Sequence, residues 1–347
     1  MKTAIVQCAD TGPCQSIELM LRAAGYRLKI PGLRLREELR SLGCDTVLDN
    51  ESLHSSMGYA LLAFPEATIQ EMETCDLFVD IKGYRNGPKV WERWPRLRNR
   101  TLWYRINGGW PIDHPTSGNE VDPSCPIVTP NLWYAEQREG RKAFACWPPF
   151  AAFGDYASAA ATRKGICDNR TLDAYTDPIC LIHNPEGWGY SKLIPGVREL
   201  GVKMYGQPAP DGLIQNYEVH AKLARSLAMV HLKSNDCPGY SLYEAIAAAC
   251  PIIVSRRLIN RMHMQDLFVE GETCLGWDEP GIDIEGRGEI DIEKCRAEIE
   301  QHLLALHDPV LNWTIGISAR ERLKHLMFNP ESEGVVFEQW LNEWVGK

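Results

Sequence analysis

The chain has 347 residues, 44% of them hydrophobic and 24% charged, and carries a net charge of −9. Those proportions are ordinary for a globular protein, and the length suits two domains better than one core. No apolar run approaches the ~20 residues of a membrane span and the N-terminus lacks a signal-peptide pattern, so no membrane span is expected and the cytoplasm is the expected compartment.

The net charge hides an asymmetry. Residues 1–150 hold 18 basic and 18 acidic side chains, so the whole deficit falls in residues 151–347. Within the first half, residues 82–105 carry Lys82, Arg85, Lys89, Arg93, Arg96, Arg98, Arg100 and Arg105 against only Glu92. Tyr84, Trp91, Trp94, Trp103 and Tyr104 are interleaved among them. Twelve cysteines show no C-x-x-C pair and no zinc spacing, and several lie in apolar segments, which predicts reduced, buried thiols rather than a metal site.

Taken in order, residues 3–8 predict a short apolar strand followed by a Gly/Pro turn. A helix over 15–24 follows, with Ile17, Met20, Leu21 and Ala24 at helical spacing. Further strands are expected at 27–30, 45–48, 77–81, 101–106, 126–129 and 142–147, and helices at 34–42, 66–74, 88–95 and 131–139. Such alternation predicts a parallel sheet covered on both faces. The Trp-Pro-Pro-Phe break at 147–150 and the Ala/Ser-rich run after it predict an interdomain hinge within 142–160. The expected domains are 1–150 and 151–330. A final helix at 335–345 either crosses back to the first domain or packs on its own.

The second half opens with an expected strand at 179–182 and a Gly-rich loop containing Gly187 and Gly189. Helix 192–200, strand 202–205 and helix 216–226 come next. The stretch that organises the chain follows: a buried strand over 228–232, the loop Lys233-Ser234-Asn235-Asp236-Cys237-Pro238-Gly239, a helix over 241–249, and strand 251–254. A loop that opens onto a helix N-terminus turns unpaired N–H groups and the positive end of the helix toward a ligand, and so suits phosphate. Gly239 permits close backbone approach, Ser241 can cap the helix or donate to phosphate, and Glu244 lies one turn further in. Helices are also expected at 292–307 and 315–326.

The pattern acid-x7-Glu, here Asp236 to Glu244 with Gly239 and Ser241 between and Ala245-x-Ala247 after, resembles the donor site of GT-B glycosyltransferases of the retaining E-x7-E group. Asp236 stands where that family has its first Glu. The resemblance is specific across about a third of the chain, residues 180–280, and architectural elsewhere. It implies an α/β protein of two Rossmann-like domains facing across a cleft. The implied activity is transfer of a sugar from a nucleotide-sugar co-substrate, a UDP-sugar as first choice, with no metal and no other cofactor.

The resemblance also implies roles. Glu244 would take the ribose hydroxyls and Asp236 the sugar, while Lys192 and the N–H groups of 239–241, including Tyr240, hold the diphosphate. Tyr205 and Gly206 would lie near the base, Lys233 and Ser234 near the sugar or phosphate, and Gly187 and Gly189 would let their loop approach. On the acceptor side, Asp10, Thr11, Asp80, Lys82, Arg85, Asn107, Gly108, Gly109 and His114 are the candidates. They follow strands of the first domain, where open α/β sheets bind ligands. Asp236, Lys192 and Asp10 are the residues expected nearest the chemistry.

The basic, aromatic stretch at 82–105 adds one acceptor reading, a virus-type DNA glucosyl- or arabinosyltransferase acting on hydroxymethylated pyrimidines in a host cytoplasm, its rings stacking a splayed base. A lipid-linked, saccharide or small-molecule acceptor is the alternative, with Trp91 and Trp94 then being core residues. A silent nucleotide-sugar-binding protein that keeps the fold is the reading from another class.

Overall fold

The computed structural model describes residues 2–7, 11–44, 64–81, 87–104, 125–129, 143–171, 174–182, 190–206, 209–214, 216–233, 239–262, 264–283 and 287–345. It divides into two compact units, Met1–Ala152 with Met327–Lys347, and Phe153–Leu326.

In the first unit β1 (Lys2–Gln7) leads into α1 (Thr11–Ala23), β2 (Tyr26–Pro31) and α2 (Leu33–Ser41). Next come β3 (Glu66–Ala67), α3 (Ile69–Thr74), β4 (Leu77–Asp80), α4 (Gly87–Arg93), β5 (Thr101–Tyr104), β6 (Ile127–Thr129) and β7 (Ala143–Ala145). The strands form one sheet in the order β3-β2-β1-β4-β5-β6-β7, every pairing parallel. Strand order reverses between β1 and β4. Residues 78–79 and 102–104 are buried on both sides, as a sheet covered on two faces requires.

The helix expected over 66–74 begins only at Ile69. Thr68 accepts from the Glu71 N–H at 3.1 Å, and the Glu71 carboxylate accepts from the Thr68 N–H at 2.9 Å, a reciprocal capping box that frees residues 66–67 to join the sheet. The expected strand 45–48 and helix 131–139 lie outside the described residues. A last helix, α12 (Pro330–Trp344), starts five residues before the expected 335 because Asn329 caps it and Pro330 opens it. It packs on α1 of the same unit: a Cβ at Gly334 would lie 2.8 Å from that of Ala23. Phe337 and Trp340 meet Phe144 of β7 at ring separations of 5.0 and 5.3 Å.

The division between the units falls within a 3₁₀ turn at Phe150–Tyr156, and the second unit continues with α5 (Ala157–Asn169). Its Arg163 is fully buried and closes the end of a neighbouring helix by donating to the carbonyls of Leu223 (2.8 Å) and Ser226 (2.7 Å), and to Asn312. The remaining strands are β8 (Ile179–Leu181), β9 (Lys203–Tyr205), β10 (Met229–Val230), β11 (Ile252–Ser255) and β12 (Leu275–Trp277). Between and after them lie α6 (Leu193–Glu199), α7 (Asn216–Arg225), α8 (Tyr240–Ala247), α9 (Arg256–Arg261), α10 (Ile292–Ala305) and α11 (Pro309–Leu326). This sheet is also parallel, in the order β12-β11-β10-β8-β9, so its order reverses between β8 and β10. In open parallel sheets ligands bind outside the carboxyl ends of the strands at such a reversal.

Candidate donor site

The site is built on the carboxyl end of β10. Ala228, Met229, Val230, His231 and Leu232 are all buried, and the chain emerges at Lys233. It re-enters the described structure at Gly239, whose φ of 69° and ψ of 155° fall in a region open essentially to glycine alone. A side chain there meets a second obstacle, because a Cβ at Gly239 would run into Nζ of Lys233. The ammonium therefore lies against the backbone that starts α8.

Helix α8 has no acidic residue in its first turn and no side-chain cap. Among the described residues, none forms an ion pair with Lys233. Positive helix end and ammonium thus converge on one corner without a described counter-charge, which favours an anion by about 1 kcal/mol from the helix end alone.

Ser241, expected to cap this helix or donate to phosphate, does not cap it. It sits inside the first turn, and its hydroxyl donates to the carbonyl of Leu181 at 3.3 Å. That bond ties α8 to the end of β8 across the strand reversal. Tyr240 opens the helix with its ring stacked on Phe153 at 5.0 Å, and meets Tyr243 edge-on at 6.1 Å.

Glu244 lies on the same helix face as Tyr240 and Ser241, four and three residues on. Burial pushes its carboxyl up to about 7, only partly opposed by the Tyr156 hydroxyl, which donates to it. A carboxylate has room for about four hydrogen bonds. With one of them met by Tyr156, Glu244 retains the acceptor capacity that a vicinal diol needs.

The other donor-side candidates fall on neighbouring strand ends. Lys192 is the N-cap of α6, after β8, and its ammonium meets Glu289 at 2.6 Å in an exposed pair. Tyr205 ends β9, where the Lys222 ammonium of α7 covers its ring at 4.6 Å from the centroid. Gly206 follows at φ 147° and donates to the Gly212 carbonyl at 3.0 Å. Gly187, Gly189, Ser234 and Asp236 lie outside the described residues.

In the first unit the reversal between β1 and β4 holds Asp80, buried at the end of β4 between Gln7 of β1 and Trp103 of β5. Thr11 is the first residue of α1. Asp10, Lys82, Arg85, Asn107, Gly108, Gly109 and His114 lie outside the described residues.

The described part of the basic-aromatic stretch, 87–104, is committed to the fold. Trp94, Trp103 and Tyr104 are buried, and Trp91 donates from Nε1 to Thr101 at 2.8 Å. Arg96 spans the carbonyls of Glu73, Thr74 and Cys75 at the end of α3 (2.6, 3.1 and 2.8 Å). Arg93 pairs with Glu38 at 2.9 Å, and Arg98 lies over the Trp91 ring at 5.9 Å. Three of these rings are core and Trp91 is half-buried, so over 87–104 the aromatic side chains are largely taken up by packing.

Two groups beside the site escaped the sequence reading. Tyr156 and Phe153 come from 84 or more residues before α8, and nothing in their local sequence marks them. Tyr190, a third, has a hydroxyl that joins a buried Arg257–Glu279 pair. Burial and the adjacent Glu279 carboxylate hold that phenol far above its ordinary range, so it stays protonated. No group of three or more His, Cys, Asp or Glu among the described residues could hold a metal ion. None of the described helices is long and apolar enough to cross a membrane.

Comparison with solved structures places the whole chain in the fold class that the motif implied. Anabaena HepE in complex with UDP and glucose matches with a TM-score of 0.58 at 10% identity, over 99% of this chain and 98% of that one. A glycosyltransferase from Rickettsia africae ESF-5 matches with a TM-score of 0.57 at 11% identity, over 98% of each chain. HepE in complex with UDP-glucose matches with a TM-score of 0.57 at 10% identity, over 99% of this chain and 98% of that one. At such identities the likeness is one of fold, the GT-B type. No family model matches the sequence, and no curated protein does.

Proposed function

We propose that the protein is a glycosyltransferase that takes a sugar from a nucleoside-diphosphate sugar held at the β8/β10 reversal. The observation that carries this reading is the corner at Gly239: an ammonium laid against a glycine-only helix start, with a raised-pKa carboxyl one turn in. Lys233, the start of α8 and Lys192 suit the diphosphate, and Glu244 suits a ribose diol. UDP is the first nucleotide to test, because HepE, of the same fold, was crystallised with it.

In the reaction the bond from the sugar C1 to the diphosphate oxygen breaks, and its electron pair leaves with the phosphate. The acceptor oxygen bonds to C1, and its proton passes to a phosphate oxygen. The protein's part is electrostatic: oriented N–H groups and ammonium groups stabilise the charge that gathers on the leaving group. Retention at C1 follows the motif's resemblance. The acceptor belongs at the β1/β4 reversal, where Asp80 ends its strand. With Trp94, Trp103 and Tyr104 of the 87–104 stretch in the core, a saccharide, lipid-linked or small hydroxyl acceptor is favoured over a flipped DNA base.

The test is nucleoside-diphosphate release from UDP-, GDP- and ADP-sugars, without acceptor and with saccharide, lipid-linked and 5-hydroxymethylcytosine DNA acceptors, followed by product mass and anomeric NMR. Donor-specific release abolished by Glu244→Ala supports the reading. Saturable nucleotide binding without turnover on any acceptor would leave a silent binding protein. A mass gain on the DNA arm would restore the nucleic-acid acceptor.

A further inference from the structure

The buried ion pair beside the donor site takes no part in the transfer chemistry above, yet its placement is specific. Arg257, in the first turn of α9, sets Nε 2.7 Å from Glu279, with both side chains almost wholly enclosed. Ser255 donates to the other carboxylate oxygen while capping α9. A second guanidinium nitrogen donates to the Tyr190 hydroxyl at 3.0 Å, and that hydroxyl donates on to Glu279. The Tyr190 ring stands edge-on to Trp277 at 5.6 Å.

A buried ion pair is a poor source of stability, since apolar side chains of the same volume often do as well. What this one supplies is direction. Strands β8 and β11 flank β10, which puts them roughly 10 Å apart. The hydrogen bond from Arg257, just past β11, to Tyr190, past β8, therefore joins segments that leave strands on opposite sides of β10, the strand that leads to Lys233 and Gly239. Tyr190 also begins α6: its carbonyl accepts from the N–H groups of Leu193 (2.8 Å) and Ile194 (3.0 Å), and Lys192 is the N-cap between. The Lys192–Glu289 pair is exposed on both sides, so it contributes little to holding Lys192 in place.

We propose that Tyr190 is a positioning residue, its hydroxyl held by Arg257 and Glu279 so that the turn presents Lys192 to a nucleoside diphosphate at the β8/β10 reversal. This rests on the donor-site reading above. Tyr190→Phe keeps the ring and its Trp277 contact but removes the hydroxyl. By calorimetry with UDP it is expected to weaken binding about tenfold, as Lys192→Ala does, and the double variant is expected to bind no more weakly than Lys192→Ala alone. Amide exchange at Leu193 and Ile194 is expected to rise in Tyr190→Phe and also in Glu279→Gln, which removes the charge holding the latch.

Unchanged UDP affinity in a folded Tyr190→Phe, additive losses in the double variant, or unchanged exchange at the two amides overturns the proposal. Wild-type protein that binds UDP beside an unaffected Tyr190→Phe sinks this inference alone. Wild-type protein that binds none of UDP, GDP and ADP removes the donor site, and the inference with it.

Discussion

Glu244→Gln should make the protein more stable and less able to bind nucleotide, and the gain should depend on pH in a fixed direction. In the folded chain burial raises the carboxyl from its ordinary 4.5 to about 7. Between those two values the folded state holds a proton that the unfolded chain has released, so stability falls as pH rises from about 4.5 and levels off above about 7. A shift of that size corresponds to about 3 kcal/mol lost at pH 8, and most of it is still present at pH 5. Gln keeps the shape and still accepts from Tyr156, but never ionises. Urea unfolding at pH 5 and pH 8 should therefore show Glu244→Gln nearly level with the parent at the lower pH and ahead by about 2–3 kcal/mol at the higher one. UDP-sugar affinity should fall at pH 8, where the parent carboxyl is ionised, and change little at pH 5, where the parent is neutral as well. Equal destabilisation at the two pH values would mean that Glu244 ionises normally, and the account of its burial would be wrong.

The same titration reaches the ligand. If the ribose diol needs the carboxylate, affinity for a UDP-sugar should rise about tenfold from pH 6 to pH 8, which calorimetry in both buffers reads; a flat profile would detach Glu244 from the nucleotide. Gly239→Ala should cost about 2 kcal/mol of stability, because φ 69° with ψ 155° is strained for alanine and the new Cβ displaces Lys233; UDP binding should be lost as well, checked by melting and titration. Asn312→Ala removes the side-chain oxygen that accepts from buried Arg163 and should lower unfolding stability by about 3 kcal/mol in urea melts. Arg96→Ala should cost about 1–2 kcal/mol by opening three carbonyls at the end of α3, and gel-shift affinity for DNA should not change.

Much of the fold was legible because it rests on short-range pattern. Alternating apolar strands and 3.6-period helices announce a parallel sheet, and the spacing from Gly239 to Glu244 announces a helix start with a carboxyl one turn in. Where local chemistry competed, pattern alone misled. The apolar period ran through 66–74, but the Thr68–Glu71 capping box moved the helix start to 69. In 87–104 the sequence shows composition without direction: folding buried Trp94, Trp103 and Tyr104, left Arg93 and Arg98 exposed, and set Arg96 on carbonyls of a different helix.

What the sequence by itself determined is the class of each half and the motif that opens α8, since both depend on neighbours within a few residues. Only the tertiary structure decided what surrounds that motif. Parallel strands need long crossovers, so the groups that meet at one sheet edge are far apart in the chain. Tyr156 reaches Glu244 from 88 residues away, and Tyr190 meets Arg257 from 67 residues away. Such pairings have no local signature, because what specifies them is strand order rather than spacing.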